Sequence, residues 1–225
     1  MRIEHIIIAF TILFFSHCSG YGASFTSGNS VSGSGQNLLF DDFNRSDGLL
    51  GPWTVSGNGA ATFQISQQRA HPFSTGNDGT IQAYHNTNVP QQNIKVSVSV
   101  VISGGAYSNT VALAAKLPST SLTSGYLCGN IDFNGSLAFH IYRVDPGLSL
   151  VSLASSSAIS LPDNSISVLS FVYKDGNLTC SITGAANVSL SANDNTYGGN
   201  GYFGLFGGQD NNYFVYFDDF KVDSQ

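Results

Sequence analysis

Glutamate is almost missing from this chain: Glu4 is the only one in 225 residues. Charge of either sign is scarce, at 10% of residues, against roughly 25% in an ordinary globular domain. Lys and Arg number 8 against 14 acidic side chains, so no basic stripe exists to release counterions from a phosphate backbone, which argues against nucleic acid as a partner. The cysteines have no CxxC spacing, His71 and His85 have no second ligand at metal-site spacing, and no Gly-rich turn leads into a helical pattern. Metal-enzyme, nucleotide-binding and serine-elbow readings all lack their residues. Helical periodicity is hard to find anywhere in the chain.

What is present is a hydrophobic content of 42%, with aromatics at 12%, enough for a real core. Ser, Thr, Asn and Gly fill the spaces between apolar positions, so the surface is mainly neutral and polar. The opening MRIEHIIIAFTILFFSHCSGYGAS has an early Arg, an apolar run too short for a comfortable membrane span, and then small residues. Residues 1–20 thus read as a secretory signal, with cleavage after Gly20 or Gly22. A rival reading starts at Cys18, which follows the apolar run and precedes a Gly/Ser tether as in a bacterial lipoprotein, although His17 departs from the small residue such a site carries. Lipidation there would anchor the chain to a membrane. Residues 21–37 read as a Gly/Ser-rich linker. The expected location is secreted or extracellular, free or lipid-anchored at the cell surface.

From residue 38 onward come short alternating or apolar runs set off by Gly, Pro, Asn and Asp, at 38–43, 61–65, 94–102, 110–116, 125–133, 137–144, 167–173, 178–182, 202–206 and 213–222. Such runs predict strands. The D-G pair of Lys174-Asp175-Gly176-Asn177 and the N-G pair of Phe133-Asn134-Gly135-Ser136 are strong hairpin signals, and Asp145-Pro146-Gly147 turns another strand around. These features predict one all-β domain over 38–223, a two-sheet antiparallel β-sandwich.

FDDFNRSDGLLGPW at the start of this span, GYLCGNIDFNGSLAFHIYRVDPG in the middle and GYFGLFGGQDNNYFVYFDDFKV at the end resemble, in that order, the opening, central and closing strands of concanavalin A-like (LamG-like) jelly-roll domains. The resemblance implies a jelly roll whose first and last strands are neighbours. The string FDDF, present as Phe40-Asp41-Asp42-Phe43 and as Phe217-Asp218-Asp219-Phe220, would then occur twice at one place. Phenylalanines three apart fall on opposite faces of a regular strand, so either a bulge turns both inward or one covers the outer face. The four carboxylates Asp41, Asp42, Asp218 and Asp219 need backbone donors, Arg45, Lys221 or a cation such as Ca²⁺ to offset their repulsion.

Many domains of this family are glycoside hydrolases, which place two carboxylates across the sugar bond. In the related glucanases these are glutamates on one strand, and none exists here. Asp132 is the only carboxylate before the central turn, and Asp219 and Asp223 lie at the chain end, so no enzymatic activity is expected. A polysaccharide lyase, which would use His140, Tyr142, Tyr126 and Asp132 for proton transfer, is a less favoured alternative. Carbohydrate binding fits better: rings stack on sugars while amides and carboxylates bond their hydroxyls. Tyr107, Tyr126, Asn130, Asp132, His140 and Tyr142 are expected to share one sheet face. Tyr84, His85 and Asn86, with Asp210, Asn211 and Asn212, would rim it, while Trp53 plugs the core. The competing class is a structural or adhesive surface or appendage module. Two cysteines, Cys128 and Cys180, lie in the domain. Alternation places Cys180 with Leu178 and Ile182, but Cys128 with Tyr126, Asn130 and Asp132 on a polar face, which counts against a disulfide between them.

Overall fold

The computed structural model describes residues 35–56, 62–73, 80–105, 109–133, 136–208 and 214–225. The expected signal segment, the Cys18 site and most of the linker lie outside the described residues, as do Tyr107 and Asp210, Asn211 and Asn212. Gly35–Gln225 forms the compact unit. Its strands are β1 (Asn37–Asp41), β2 (Gly48–Leu49), β3 (Trp53–Ser56), β4 (Thr62–Ser66), β5 (Arg69–Phe73), β6 (Thr80–His85), β7 (Ile94–Ser103) and β8 (Val111–Leu117), followed by β9 (Gly125–Phe133), β10 (Ser136–Asp145), β11 (Ser149–Ser157), β12 (Ile166–Lys174), β13 (Asn177–Gly184), β14 (Val188–Asn193), β15 (Tyr202–Gly208) and β16 (Phe214–Ser224).

They pair antiparallel into two sheets. One has nine strands in the order β14-β13-β12-β7-β16-β5-β4-β2, with β1 also on β16; the other has seven in the order β11-β10-β9-β8-β15-β6-β3. The all-β jelly roll is therefore present, and the hairpins expected from the D-G, N-G and D-P-G turns join β12 to β13, β9 to β10 and β10 to β11. Strand β7, IKVSVSVVIS, illustrates the driving force. Ile94, Val96, Val98, Val100 and Ile102 are buried between the sheets while the alternate Lys and Ser positions are half-exposed.

Strands β1 and β16 are neighbours, with Phe40 opposite Lys221 and Asp41 opposite Phe220. The two FDDF strings solve the facing problem differently. In β16 a bulge between Asp218 and Lys221, with Asp219 at φ 51°, turns both Phe217 and Phe220 into the core. At β1 the strand ends first: Phe43, at φ 51°, is fully buried whereas Phe40 is 50% exposed on the outside.

Cys128 and Cys180 form a disulfide, with Cα atoms 5.5 Å apart, that ties β9 of one sheet to β13 of the other. The expectation from alternation fails because β9 is inverted relative to its polarity. Tyr126, Cys128 and Asn130 face the interior, and Leu127 and Ile131 face outward. The inward polar groups are satisfied: the Tyr126 hydroxyl donates to Asp194 Oδ1 at 2.6 Å, and the Asn130 amide pairs with both backbone groups of Ile159. Hydrogen-bonded polar groups are tolerated in a core. His71 and His85 lie on β5 and β6. His85 packs edge-on against Trp53 at 5.0 Å.

Candidate functional site

Outward-facing residues of the seven-stranded sheet build a second apolar cluster outside the main core. Val111–Leu117 is buried along all seven positions, so the sheet is covered on both faces at this strand. Tyr84, Leu127, Tyr142, Val144 and Phe206 belong to the outer cluster, and Leu122, Leu150 and Tyr202 pack against it. A groove of about 460 Å³ opens here. Ser56 of β3 and Thr80 and Gln82 of β6 form one flank. Leu127 and Ile131 of β9, Leu150 of β11, Leu148 of the preceding turn and Leu122 of the β8–β9 loop form the other. Tyr84 and Phe206 meet edge to face between them at 6.0 Å, and Ser121, Thr110 and Asp132 complete the lining.

The floor of this face is made of small residues. A Cβ on Gly204 would come within 2.8 Å of Ala83 O and of the Tyr84 ring, so only glycine lets that ring lie across β15. Gly129, at φ 144°, would place a Cβ 2.2 Å from Val111 O. Tyr84 joins the sheet to its covering loop: its hydroxyl donates to Gln82 Oε1 and its oxygen accepts from the Leu122 backbone. Burial pushes the Tyr84 phenol far above its ordinary range, so it stays protonated and neutral. The backbone N–H of Asp132 donates to Thr110 Oγ1 at 3.1 Å, and Asp132 itself is exposed at the groove. It is the only charged side chain lining the groove among the described residues.

Farther along the same outer face, His140 and Tyr142 stack at 4.2 Å between centroids, with the Tyr142 hydroxyl 3.2 Å from His140 Nε2 and Ser152 Oγ 3.4 Å from His140 Nδ1. Burial lowers the His140 pKa and raises that of Tyr142, so both are neutral near pH 7.

The six residues expected on one face thus separate. His140 and Tyr142 face outward and Asp132 lines the groove, but Tyr126 and Asn130 point into the core and Tyr107 is outside the described residues. The lyase tetrad is split for the same reason, since Tyr126 lies on the opposite side of the sheet from His140. Among the expected rim residues, Tyr84 is within the groove and His85 is in the core. A reading by polarity passed over Leu127, Ile131 and Phe206, and nothing in the local sequence set Gln82 apart. The apolar run VALAA, which lacks the polar alternation of a half-exposed strand, is the signal that a covered outer surface exists.

The four aspartates do not form one set: Asp42, Asp218 and Asp219 line a pocket beside Arg69, whereas Asp41 is engaged elsewhere. Asp41 Oδ1 accepts from Arg45 Nη1 at 2.7 Å and from the Phe43 N–H at 2.9 Å, and Oδ2 accepts from Trp53 Nε1 at 2.7 Å and Arg45 Nη2 at 3.0 Å. Burial opposes its ionisation, but the hydrogen bonds from Arg45, Trp53 and Phe43 outweigh it and hold the carboxyl below its ordinary value. Asp218 pairs with Arg69 at 3.5 Å, and Lys221 with Asp223 at 3.1 Å. Asp42 and Asp219 are exposed. Among the described residues no three His, Cys, Asp or Glu side chains are grouped to hold a metal, so Asp41, Asp42, Asp218 and Asp219 do not fit the Ca²⁺ expectation.

No family model matches the sequence, and no curated protein matches it. Solved structures do match in fold. A Bacillus subtilis protein of unknown function with a galectin-like fold aligns at TM-score 0.60 and 15% identity, covering 85% of this chain and 97% of that one. The carbohydrate-binding module CBM66 from Bacillus subtilis aligns at TM-score 0.57 and 15% identity, over 77% and 96% of the two chains. The exoplasmic/lumenal domain of VIP36 in its Ca²⁺/Man-bound form aligns at TM-score 0.54 and 12% identity, over 77% and 83%. At these identities the likeness is one of fold, and the architecture is the galectin-like, concanavalin A-like jelly roll.

Proposed function

We propose that this chain is a non-catalytic, lectin-like domain, secreted or attached at the cell surface, that binds carbohydrate in the groove on the outer face of its seven-stranded sheet. The observation that carries the reading is the groove itself: among the described residues its walls combine hydroxyl, amide and apolar surface with one carboxylate and no cation, which suits a neutral polyol more than an ionic ligand. Fold neighbours described as a carbohydrate-binding module and as a Man-bound lumenal domain support it. The Cys128–Cys180 disulfide supports an oxidising compartment. Asp132 is the one carboxylate lining the groove among the described residues, which supports binding over paired-carboxylate hydrolysis.

The test is glycan-array binding by the full chain and by Thr80→Trp. Thr80 is exposed at the start of β6 and lines the groove, so an indole there fills the groove without entering the core. Binding by the wild type that is lost in the variant at unchanged Tm is the expected result. An array with no bound glycan would favour the structural or adhesive module.

A further inference from the structure

The two flanks of the groove differ in chemistry. Ser56, Thr80 and Gln82 present hydroxyls and an amide, whereas Leu122, Leu148 and Leu150 present only hydrocarbon. Leu148 is 60% exposed although it sits at the mouth of a cavity on a protein otherwise rich in Ser and Asn. A fully hydroxylated hexose lying across the groove would set some of its hydroxyls against the side chains of Leu122, Leu148 and Leu150, where they lose water and meet hydrocarbon, Ser121 and Asp132 being the polar groups on that side among the described residues. An acidic sugar fares worse, because its carboxylate meets Asp132 and, among the described residues, no Lys or Arg in the lining.

Resting on the carbohydrate reading above, we propose that the ligand is a neutral saccharide carrying a methyl-terminated substituent, a 6-deoxy or N-acetyl group, whose hydroxyl edge faces β3 and β6 and whose methyl faces the leucines. Each methyl transferred from water to that flank strengthens binding roughly fourfold, at about 0.8 kcal/mol per buried carbon. The 6-deoxy and N-acetyl forms share this chemistry and differ only in where the methyl is carried.

Titration calorimetry on the full chain separates the possibilities, using methyl glycosides of a 6-deoxyhexose, of N-acetylglucosamine, of glucose and of glucuronate. At least one of the first two should bind fourfold or more tightly than glucose, and glucuronate should bind weakest. Leu148→Asn should erase the preference for the methyl-bearing sugars over glucose. That variant is expected to fold, because Leu148 is exposed at φ 61°, a conformation asparagine adopts more readily than leucine. Equal affinities for glucose and the methyl-bearing sugars, all abolished by Thr80→Trp, would overturn this inference and leave the carbohydrate reading standing. Tightest binding of glucuronate would overturn it too, and absence of binding by every sugar would overturn both.

Discussion

Breaking the Cys128–Cys180 bond should cost this domain a large share of its stability. The two cysteines are 52 residues apart in sequence and bridge opposite sheets, so the bond closes a long loop in the unfolded chain. The chain-entropy relation gives about 4 kcal/mol at 25 °C for a loop of that length. Single domains have total stabilities of about 5–15 kcal/mol, so the reduced protein would be left with a narrow margin. At roughly 2–4 °C per kcal/mol for a chain of this size, Tm should fall by about 8–16 °C. Both sulfurs are fully buried, so Cys128→Ala/Cys180→Ala should lose somewhat more than reduction alone, because the side chains also leave unfilled space. Calorimetry of oxidised, reduced and double-variant protein measures the three. Alkylation of Cys128 and Cys180 in denatured but unreduced protein would refute the bond, and a Tm loss under about 3 °C would refute the loop-entropy argument.

Lys116 gives a pH signature. It is fully buried; its Nζ donates to Gly198 O at 2.8 Å and to Gln91 O and lies 5.0 Å from the Tyr173 ring, yet burial lowers its pKa from 10.5 to about 8. Between those values the unfolded chain holds the extra proton, so stability should rise from pH 8 to pH 10 by about 2 kcal/mol. Above pH 10 the trend should reverse, because the Tyr84 and Tyr126 phenols are pushed upward in the fold, mainly by burial. Urea melts across this range check both limbs, and Lys116→Met should lose the rise. Asp41→Ala should cost about 3 kcal/mol by stripping Arg45 and Trp53 of their shared acceptor, whereas melts in millimolar Ca²⁺ and in chelator should coincide. Tyr126→Phe should cost about 1–2 kcal/mol, because it removes the donor to Asp194, and should leave glycan affinity unchanged, since the ring faces the core.

The sequence carried the fold well where apolar alternation and turn chemistry agreed, as in β7, β12 and β13 with their D-G hairpin. It carried poorly the strands whose burial comes from neighbours. The sheet-edge strands β11 and β14, SLVSLASSS and VSLSAN, are rich in serine because they bury few side chains. RAHPF, which carries Pro72, is not among the strand runs read from the sequence, but β5 pairs with β16 at Ala70 only, so the missing N–H at Pro72 is tolerated there. For the site, polarity was a poor guide to facing. Tyr126 and Asn130 find their hydrogen bonds inside, and Leu127 and Ile131 face outward beneath a loop, so the polar residues of β9 pointed to the wrong side of the sheet.

Hydrogen exchange of the full chain, with and without a saturating glycan taken from the array, tests the central claim most directly. Amides of 118–124, 146–150 and the start of β6 should gain protection, while β12, β13 and β14 of the other sheet stay unchanged. Protection confined to that nine-stranded sheet, or to the polar end loops around Asn93, Asp175 and Asn195, would contradict binding in the groove.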